Sequence, residues 1–143
     1  VAGVDRRFLW PAASARLIEV AAGALGNCTA FSVAPDQILM VDDPIVEDVL
    51  GAAGVLIRAR DLVGLRGVAE VRPAAPVELV TLTLADEELL YLNTGALVLS
   101  GIADRAGPPL GGFLPLIDGG RAEAMRDLLG QGARCSDEVG RAA

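Results

Sequence analysis

The sequence predicts an α+β fold, in which three or four helices pack on one face of a small, largely antiparallel sheet. The chain has 143 residues, of which 52% are hydrophobic, and this suits one compact domain with a real core. Apolar residues recur at helical spacing in residues 11–25 and 85–99. Residues 77–84 (VELVTLTL) combine Val, Leu and Thr with a single charge, which is typical of a buried strand.

The pattern of residues 11–41 predicts a helix followed by a hairpin. Pro11 suits the first position of a helix over 11–25, which ends at a Gly-Asn pair. Residues 28–33 and 37–41 then form two short strands, with the Pro35-Asp36 turn between them. We therefore expect a β-hairpin after the first helix.

A second helix is predicted by its capping residues. Asp43 is an N-cap residue and Pro44 fits the first helical position, so that a short helix spans 44–53 and ends at Gly54. Residues 55–60 follow as a strand.

Residues 77–84 and 85–99 are predicted to form the centre of the fold. The strand over 77–84 is expected to lie in the middle of the sheet, with the helix over 85–99 packed across it. Asp86, Glu87 and Glu88 would occupy the first turn of that helix, where negative charge favours the helix dipole.

The last third predicts an edge strand and a final helix. Residues 113–117 form a short edge strand, because Pro115 cannot donate to a central ladder. Asp118 caps a helix over 119–129. We expect residues 1–132 to form a single domain and residues 133–143 to form a mobile tail.

The absence of histidine restricts the chemistry of the chain. The sequence contains no His, so it lacks the commonest general base and the commonest metal ligand. Its two cysteines, Cys28 and Cys135, cannot form an all-cysteine zinc site, and we expect free thiols in a reducing compartment. The sequence therefore predicts no catalytic residue, no metal site and no cofactor, and indicates a cytoplasmic protein.

The charge of the chain disfavours nucleic acids and membranes as partners. The formal net charge is −7, and a negative surface repels phosphate backbones and anionic headgroups. All 12 basic residues are Arg. Complete use of Arg in place of Lys indicates a GC-rich bacterial or phage genome.

The densest group of basic residues is the main candidate for a ligand site. Arg58, Arg60 and Arg66 lie close together in sequence, and Arg58 and Arg60 would share a face if both lay on one strand. Asp118 and Arg121 mark a glycine-containing helix start, which suits an anion. These residues could bind a small anion through paired guanidinium hydrogen bonds. The alternative is that they neutralise neighbouring acids.

Three classes of function follow. The favoured class is a non-catalytic protein-interaction or assembly module (a subunit, a chaperone, an immunity-type inhibitor or a virion component), which binds another protein or further copies of itself. The mean hydropathy of +0.47 favours it, because a small protein exposes much of its surface. The alternatives are an anion-binding or sensor domain that uses the Arg cluster, and a small enzyme that uses Asp or Glu.

Overall fold

The protein is built mainly of strands. The computed structural model describes the backbone of residues 3–101 and 108–142, and side chains as far as residue 132. In these residues ten strands form three sheets, and only two α-helices are present. The predicted α+β fold, with three or four helices on one small sheet, is therefore wrong.

The strands and helices follow one another in short steps. In chain order they are β1 (Gly3–Leu9), β2 (Leu17–Val20), β3 (Phe31–Val33), β4 (Ile38–Val41), α1 (Pro44–Leu50), β5 (Val55–Arg58), β6 (Val68–Val71), β7 (Val77–Thr83), β8 (Leu89–Tyr91), β9 (Leu97–Leu99), β10 (Leu116–Ile117) and α2 (Gly119–Ala142). Short 3-10 helices at Ala59–Leu62 and Pro109–Gly112 connect some of them.

The three sheets differ in size. A five-stranded sheet has the order β10-β5-β4-β9-β8, and a three-stranded sheet has the order β3-β2-β6. The third sheet contains only β1 and β7 and is called the ribbon below. Neighbouring strands are antiparallel throughout these sheets, except that β10 runs parallel to β5.

The two larger sheets share one core. Ile18 of β2, Leu39 of β4 and Ile57 of β5 are almost completely buried and belong to the same hydrophobic cluster. Fully burying a side chain of this size contributes about 1.5–3 kcal/mol. These aliphatic contacts hold the five-stranded and three-stranded sheets together.

Helix α2 closes this core. Up to residue 132, its buried residues are Ala122, Met125 and Leu129, whose spacing of three and four places them on one side of the helix. The side chain of Arg126 donates a hydrogen bond of 3.0 Å to the carbonyl oxygen of Val63, just after the first 3-10 helix. The helix is therefore joined to the core by both apolar and polar contacts.

Several local predictions are confirmed. Helix α1 begins at Pro44, and the Asp43 side chain accepts a hydrogen bond of 3.0 Å from the Ile45 amide. The strand predicted over 55–60 is present as β5 but ends at Arg58, and β10 is an edge strand as expected. The final helix begins at Gly119 as expected but continues to Ala142.

The helix predicted over 11–25 is absent. This segment contains β2, and a turn with glycines at φ +83° (Gly23) and +76° (Gly26) follows it. Those backbone angles favour glycine and end regular structure. The apolar residues Leu17 and Ile18 misled the prediction, because they are consecutive residues of β2, their side chains point to opposite faces of the sheet, and both are buried.

The hairpin predicted over 28–41 is also wrong. Its two strands exist as β3 and β4, but β3 pairs with β2 in one sheet whereas β4 pairs with β5 and β9 in another. The Pro35-Asp36 segment is therefore a crossing between two sheets. Strand length and composition identified the strands, but gave no information on their partners.

The helix predicted over 85–99 is replaced by the β8–β9 hairpin. The Leu92 amide donates to the carbonyl oxygen of Ala96 at 2.8 Å, and Gly95 has φ +88°. The Asn93-Thr94-Gly95 sequence is thus a hairpin turn. Consequently Asp86, Glu87 and Glu88 precede a strand and do not occupy the first turn of a helix.

The strand predicted over 77–84 is present as β7, but it is not central. It pairs with β1 in the ribbon, and most of its residues are exposed or half-buried. High strand propensity does not distinguish a buried strand from an exposed one.

The segment predicted to be a tail lies largely within α2, which reaches Ala142. The mobility of residues 133–143 stays a prediction.

Loss of the α1 cap should destabilise the protein. We expect Asp43→Ala to lower the free energy of unfolding by about 1 kcal/mol, because the Ile45 amide loses its hydrogen-bond acceptor. Urea unfolding followed by circular dichroism measures this change. Asp42→Ala, which removes a neighbouring exposed carboxylate, is the control and should change stability by less than about 0.5 kcal/mol. Equal losses in the two variants would contradict the capping role.

Candidate interaction surface

The ribbon has one face made of alternate residues of its two strands. Strands β1 and β7 are antiparallel, with Val4 opposite Leu82, Arg6 opposite Val80, and Phe8 opposite Glu78. Because side chains alternate along a strand, these six residues lie on the same side of the ribbon. Trp10, just beyond β1, continues this row, and its ring lies 6.3 Å from the ring of Phe8. We call Val4, Arg6, Phe8, Trp10, Glu78, Val80 and Leu82 the ribbon face.

The apolar residues of the ribbon face are exposed to solvent. The exposed fractions are 52% for Val4, 58% for Phe8, 65% for Trp10, 51% for Val80 and 37% for Leu82. Elsewhere in the described part of the chain, the exposed large hydrophobic residues (Val49, Tyr91 and Phe113) belong to three different segments. Single exposed apolar residues are ordinary, whereas a contiguous row marks an interaction site.

One ion pair crosses the ribbon face. The Arg6 guanidinium lies 3.2 Å from a carboxylate oxygen of Glu78, and both side chains are largely exposed. An exposed pair of this kind contributes little to stability. It neutralises the charge on the face, which leaves a mainly apolar surface.

The two edges of the ribbon differ. On the edge away from β1, β7 is bridged by Gly101, whose amide donates to Leu82 at 3.1 Å and whose carbonyl oxygen accepts from Leu84 at 3.1 Å. The other edge of the ribbon belongs to β1, and no strand in residues 3–101 or 108–142 pairs with it. An unpaired strand edge presents main-chain donors and acceptors to another chain.

Two of the predicted basic residues, Arg58 and Arg60, form ion pairs with different acids. Strand β5 ends at Arg58, so the assumption that Arg58 and Arg60 share a strand is wrong. The guanidinium of Arg58 lies 3.9 Å from the carboxylate of Asp118, whereas that of Arg60 pairs with Asp36. Both ion pairs favour neutralisation of neighbouring acids.

The other two predicted arginines, Arg66 and Arg121, are exposed in separate segments. Anion binding by any of these residues stays a prediction.

Cys28 lies in a loop that is held by hydrogen bonds to the buried side-chain amide of Asn27. The Asn27 side chain is buried, donates to the carbonyl oxygens of Ala21 (3.1 Å) and Thr29 (2.8 Å), and accepts from the Leu25 amide (3.1 Å). The Cys28 amide donates to the carbonyl oxygen of Thr94 at 2.7 Å, and its thiol is exposed and free. The loop is firmly held, and it presents a thiol with no neighbouring histidine, since the chain has none.

Two cavities in the described part of the chain are small. One of 240 Å³ is lined in part by Gln37, Thr81 and Ser100, and one of 210 Å³ lies beside Tyr91. Pockets for drug-sized ligands measure about 300–1,000 Å³. The side-chain amide of Gln37 already donates to the carbonyl oxygens of Ile38 and Leu99. These cavities favour a surface over a pocket as the functional site.

The comparisons with known proteins agree with the β-rich architecture. A family model described as the Hint domain matches residues 4–98, which is 95 of the 143 residues. The chain belongs to the Hint domain family. Searches of curated proteins and of solved structures gave no significant match.

The Hint domain match covers most of the strands but not the whole core. It begins within β1 and ends within β9, so it includes the ribbon, whereas β10 and α2 lie outside it. The family indicates a protein-interaction or autoprocessing module. Neither helix in the described part of this Hint domain has the length and hydrophobicity required to cross a bilayer.

The sequence pattern does not predict the ribbon face. It indicates no element in residues 1–10, and it places Val80 and Leu82 in a buried strand. Hydrophobic alternation is interrupted by Asp5, Arg6 and Arg7, so β1 gives a weak strand signal. The positions of Phe8 and Trp10, two apart, were the available clue.

Removal of the side-chain amide of Asn27 should destabilise the loop that contains Cys28. We expect Asn27→Ala to lower the free energy of unfolding by about 2 kcal/mol, because buried main-chain groups lose their partners. Urea unfolding measures the loss, and Thr29→Ala, at an exposed neighbouring position, should have little effect. Unchanged stability of Asn27→Ala would show that this amide does not hold the loop.

Proposed function

We propose that this Hint domain is a non-catalytic module that binds another protein through the ribbon face. The observation that carries the proposal is the contiguous row of exposed apolar side chains on β1 and β7. Water next to such a row is released when a partner covers it, and this favours association. Aromatic residues are enriched in protein interfaces, and Phe8 and Trp10 supply two of them.

The composition of the chain supports interaction over autoprocessing. Self-cleavage requires a nucleophile and a group that moves protons. The chain offers an exposed thiol at Cys28, but histidine, the commonest proton-transfer group, is missing from the sequence. The Asp and Glu side chains that could substitute are in part engaged elsewhere: Asp43 caps α1, and Glu87 accepts from the Leu110 amide.

Charge is also consistent with a protein partner. The net charge of −7 repels nucleic acid, whereas the ribbon face is close to neutral because Arg6 and Glu78 pair. A neutral apolar face on an acidic protein is suited to a protein surface. A small anion is a less suitable partner, because Arg58 and Arg60 are already paired with carboxylates.

The purified chain should not cleave itself. We expect its intact mass to remain unchanged after prolonged incubation with and without a thiol nucleophile, because Cys28 lacks a histidine base. Mass spectrometry at several times measures this, with Cys28→Ala as the control. Fragments that appear in the parent chain and not in Cys28→Ala would show autoprocessing and overturn the proposal.

The ribbon face should be the surface that partners contact. A photoreactive p-benzoylphenylalanine at position 8 should form covalent adducts of defined mass with a partner protein. The same group at position 113, which is exposed outside the ribbon, should form no such adducts. Excess parent chain should suppress these adducts, whereas excess Phe8→Ser/Val80→Ser should not. Because both side chains are exposed, the double variant should unfold within about 1 kcal/mol of the parent. Equal labelling at both positions, or equal competition, would contradict a role of this face.

A further inference from the structure

We infer that the ribbon binds a second copy of this chain, with β1 of the two copies paired antiparallel and Arg6 on the two-fold axis. This inference goes beyond the proposed function, since it concerns the open edge of the same ribbon and leaves the ribbon face uncovered. It follows from the edge that β1 leaves open, from the direction of its main-chain groups and from the order of its charges.

The hydrogen bonds of Gly101 show which main-chain groups of β1 face the open edge. The carbonyl oxygen of Leu82 accepts from Gly101, so the main-chain polar groups of Leu82 point away from β1. Val4 lies opposite Leu82, and therefore this pair exchanges no hydrogen bonds within the ribbon. Hence Val4, and with it Arg6 and Phe8, direct their N–H and C=O groups to the open edge.

This alternation limits the registers in which two copies can pair. Hydrogen bonds form only where edge-facing residues lie opposite one another, so Val4, Arg6 and Phe8 must face members of the same set in the second copy. With Arg6 on the axis, Val4 faces Phe8 of the second copy and each Arg6 faces the other. All three edge-facing residues then exchange hydrogen bonds, and Gly3–Leu9 is paired along its whole length. A shift of the axis by one residue leaves one of the three unpaired.

The charges of β1 select the same register. With Arg6 on the axis, Asp5 of one copy lies directly opposite Arg7 of the other, and the symmetry forms this pair twice. Opposite charges directly across a sheet stabilise the pairing. An axis at Asp5 would place the two Asp5 side chains face to face, and an axis at Arg7 would do the same with the two Arg7 side chains. In both of these other registers, like charges face each other and repel.

The remaining side chains suit this pairing. The two Arg6 residues meet on the axis, but each is neutralised by Glu78 of its own ribbon at 3.2 Å. Val4 of one copy meets Phe8 of the other, and such a β-branched and aromatic pair is favourable. The two ribbons become one four-stranded sheet with the order β7-β1-β1-β7, in which the apolar ribbon faces are continuous.

Charge reversal at positions 5 and 7 tests the register. Arg7→Asp places two acids opposite each other, and Asp5→Arg places two arginines opposite each other. Each single variant should raise the dimer dissociation constant by about tenfold or more, because two attractive cross-strand pairs become repulsive. The double variant Asp5→Arg/Arg7→Asp restores opposite charges and should dimerise as the parent does. Sedimentation equilibrium across a concentration series measures these constants.

A mixture of the two single variants gives a sharper result. Asp5→Arg carries only basic residues at positions 5 and 7, and Arg7→Asp carries only acidic ones, so the two should form a heterodimer although neither forms a stable homodimer. Native mass spectrometry distinguishes the hetero- and homodimers if one variant is isotope-labelled. Arg121→Asp, on an exposed position of α2, controls for net charge and should leave the dissociation constant of the parent unchanged.

The outcomes separate this inference from the proposed function. A parent chain that is monomeric at every concentration, or a dimer that is indifferent to charge at positions 5 and 7, overturns the inference. If adducts at position 8 to another protein still form in that case, the proposed function stands with a different partner. If position 8 forms no adduct at all and the parent is monomeric, both are wrong.

Discussion

The aliphatic core shared by the two larger sheets is the constraint on which the rest of the structure depends. Ile18, Leu39 and Ile57 come from three strands in two sheets, and their burial in one hydrophobic cluster fixes how the sheets face each other. With an aromatic content of only 3%, the protein must obtain this burial from many branched side chains of moderate size.

The ribbon lies outside this constraint. Strands β1 and β7 pair with each other, and the face that they present to solvent is not needed to fill the core. Mutations there would therefore change the surface at little cost to folding, as is usual for exposed positions. A β-rich framework with a separate, apolar, exposed sheet can acquire a binding role without a catalytic one. The fold supports the function that we propose for this reason.

The sequence predicted those features that depend on neighbouring residues. The cap at Asp43, the start of α1 at Pro44 and the edge position of β10 beside Pro115 follow from local hydrogen bonding and steric limits, and all three are confirmed. The pairing of β3 with β2, and of β4 with β5, depends on contacts between distant segments, which hydrophobic spacing does not encode. The β8–β9 hairpin was missed because the leucines around it outweighed the turn signal of Gly95.

The candidate site was harder to predict than the fold. A run of charged residues separates Val4 from Phe8, and only the register with β7 shows that both lie beside Val80 on one face. The Arg cluster had a clear sequence signal, and two of its members, Arg58 and Arg60, pair with separate acids. The apolar row had no comparable signal, because its residues come from two distant segments of the chain.

The position of α2 has a consequence for where this folding unit ends. The family match stops at residue 98, whereas Ala122, Met125 and Leu129 of α2 lie in the same core as Ile18. The Leu56 amide of β5 also donates to the carbonyl oxygen of Pro115, just before β10, at 2.8 Å. The region matched by the family model is therefore shorter than the segment that builds the hydrophobic core of this protein, and helix α2, which follows that region, covers one side of the core.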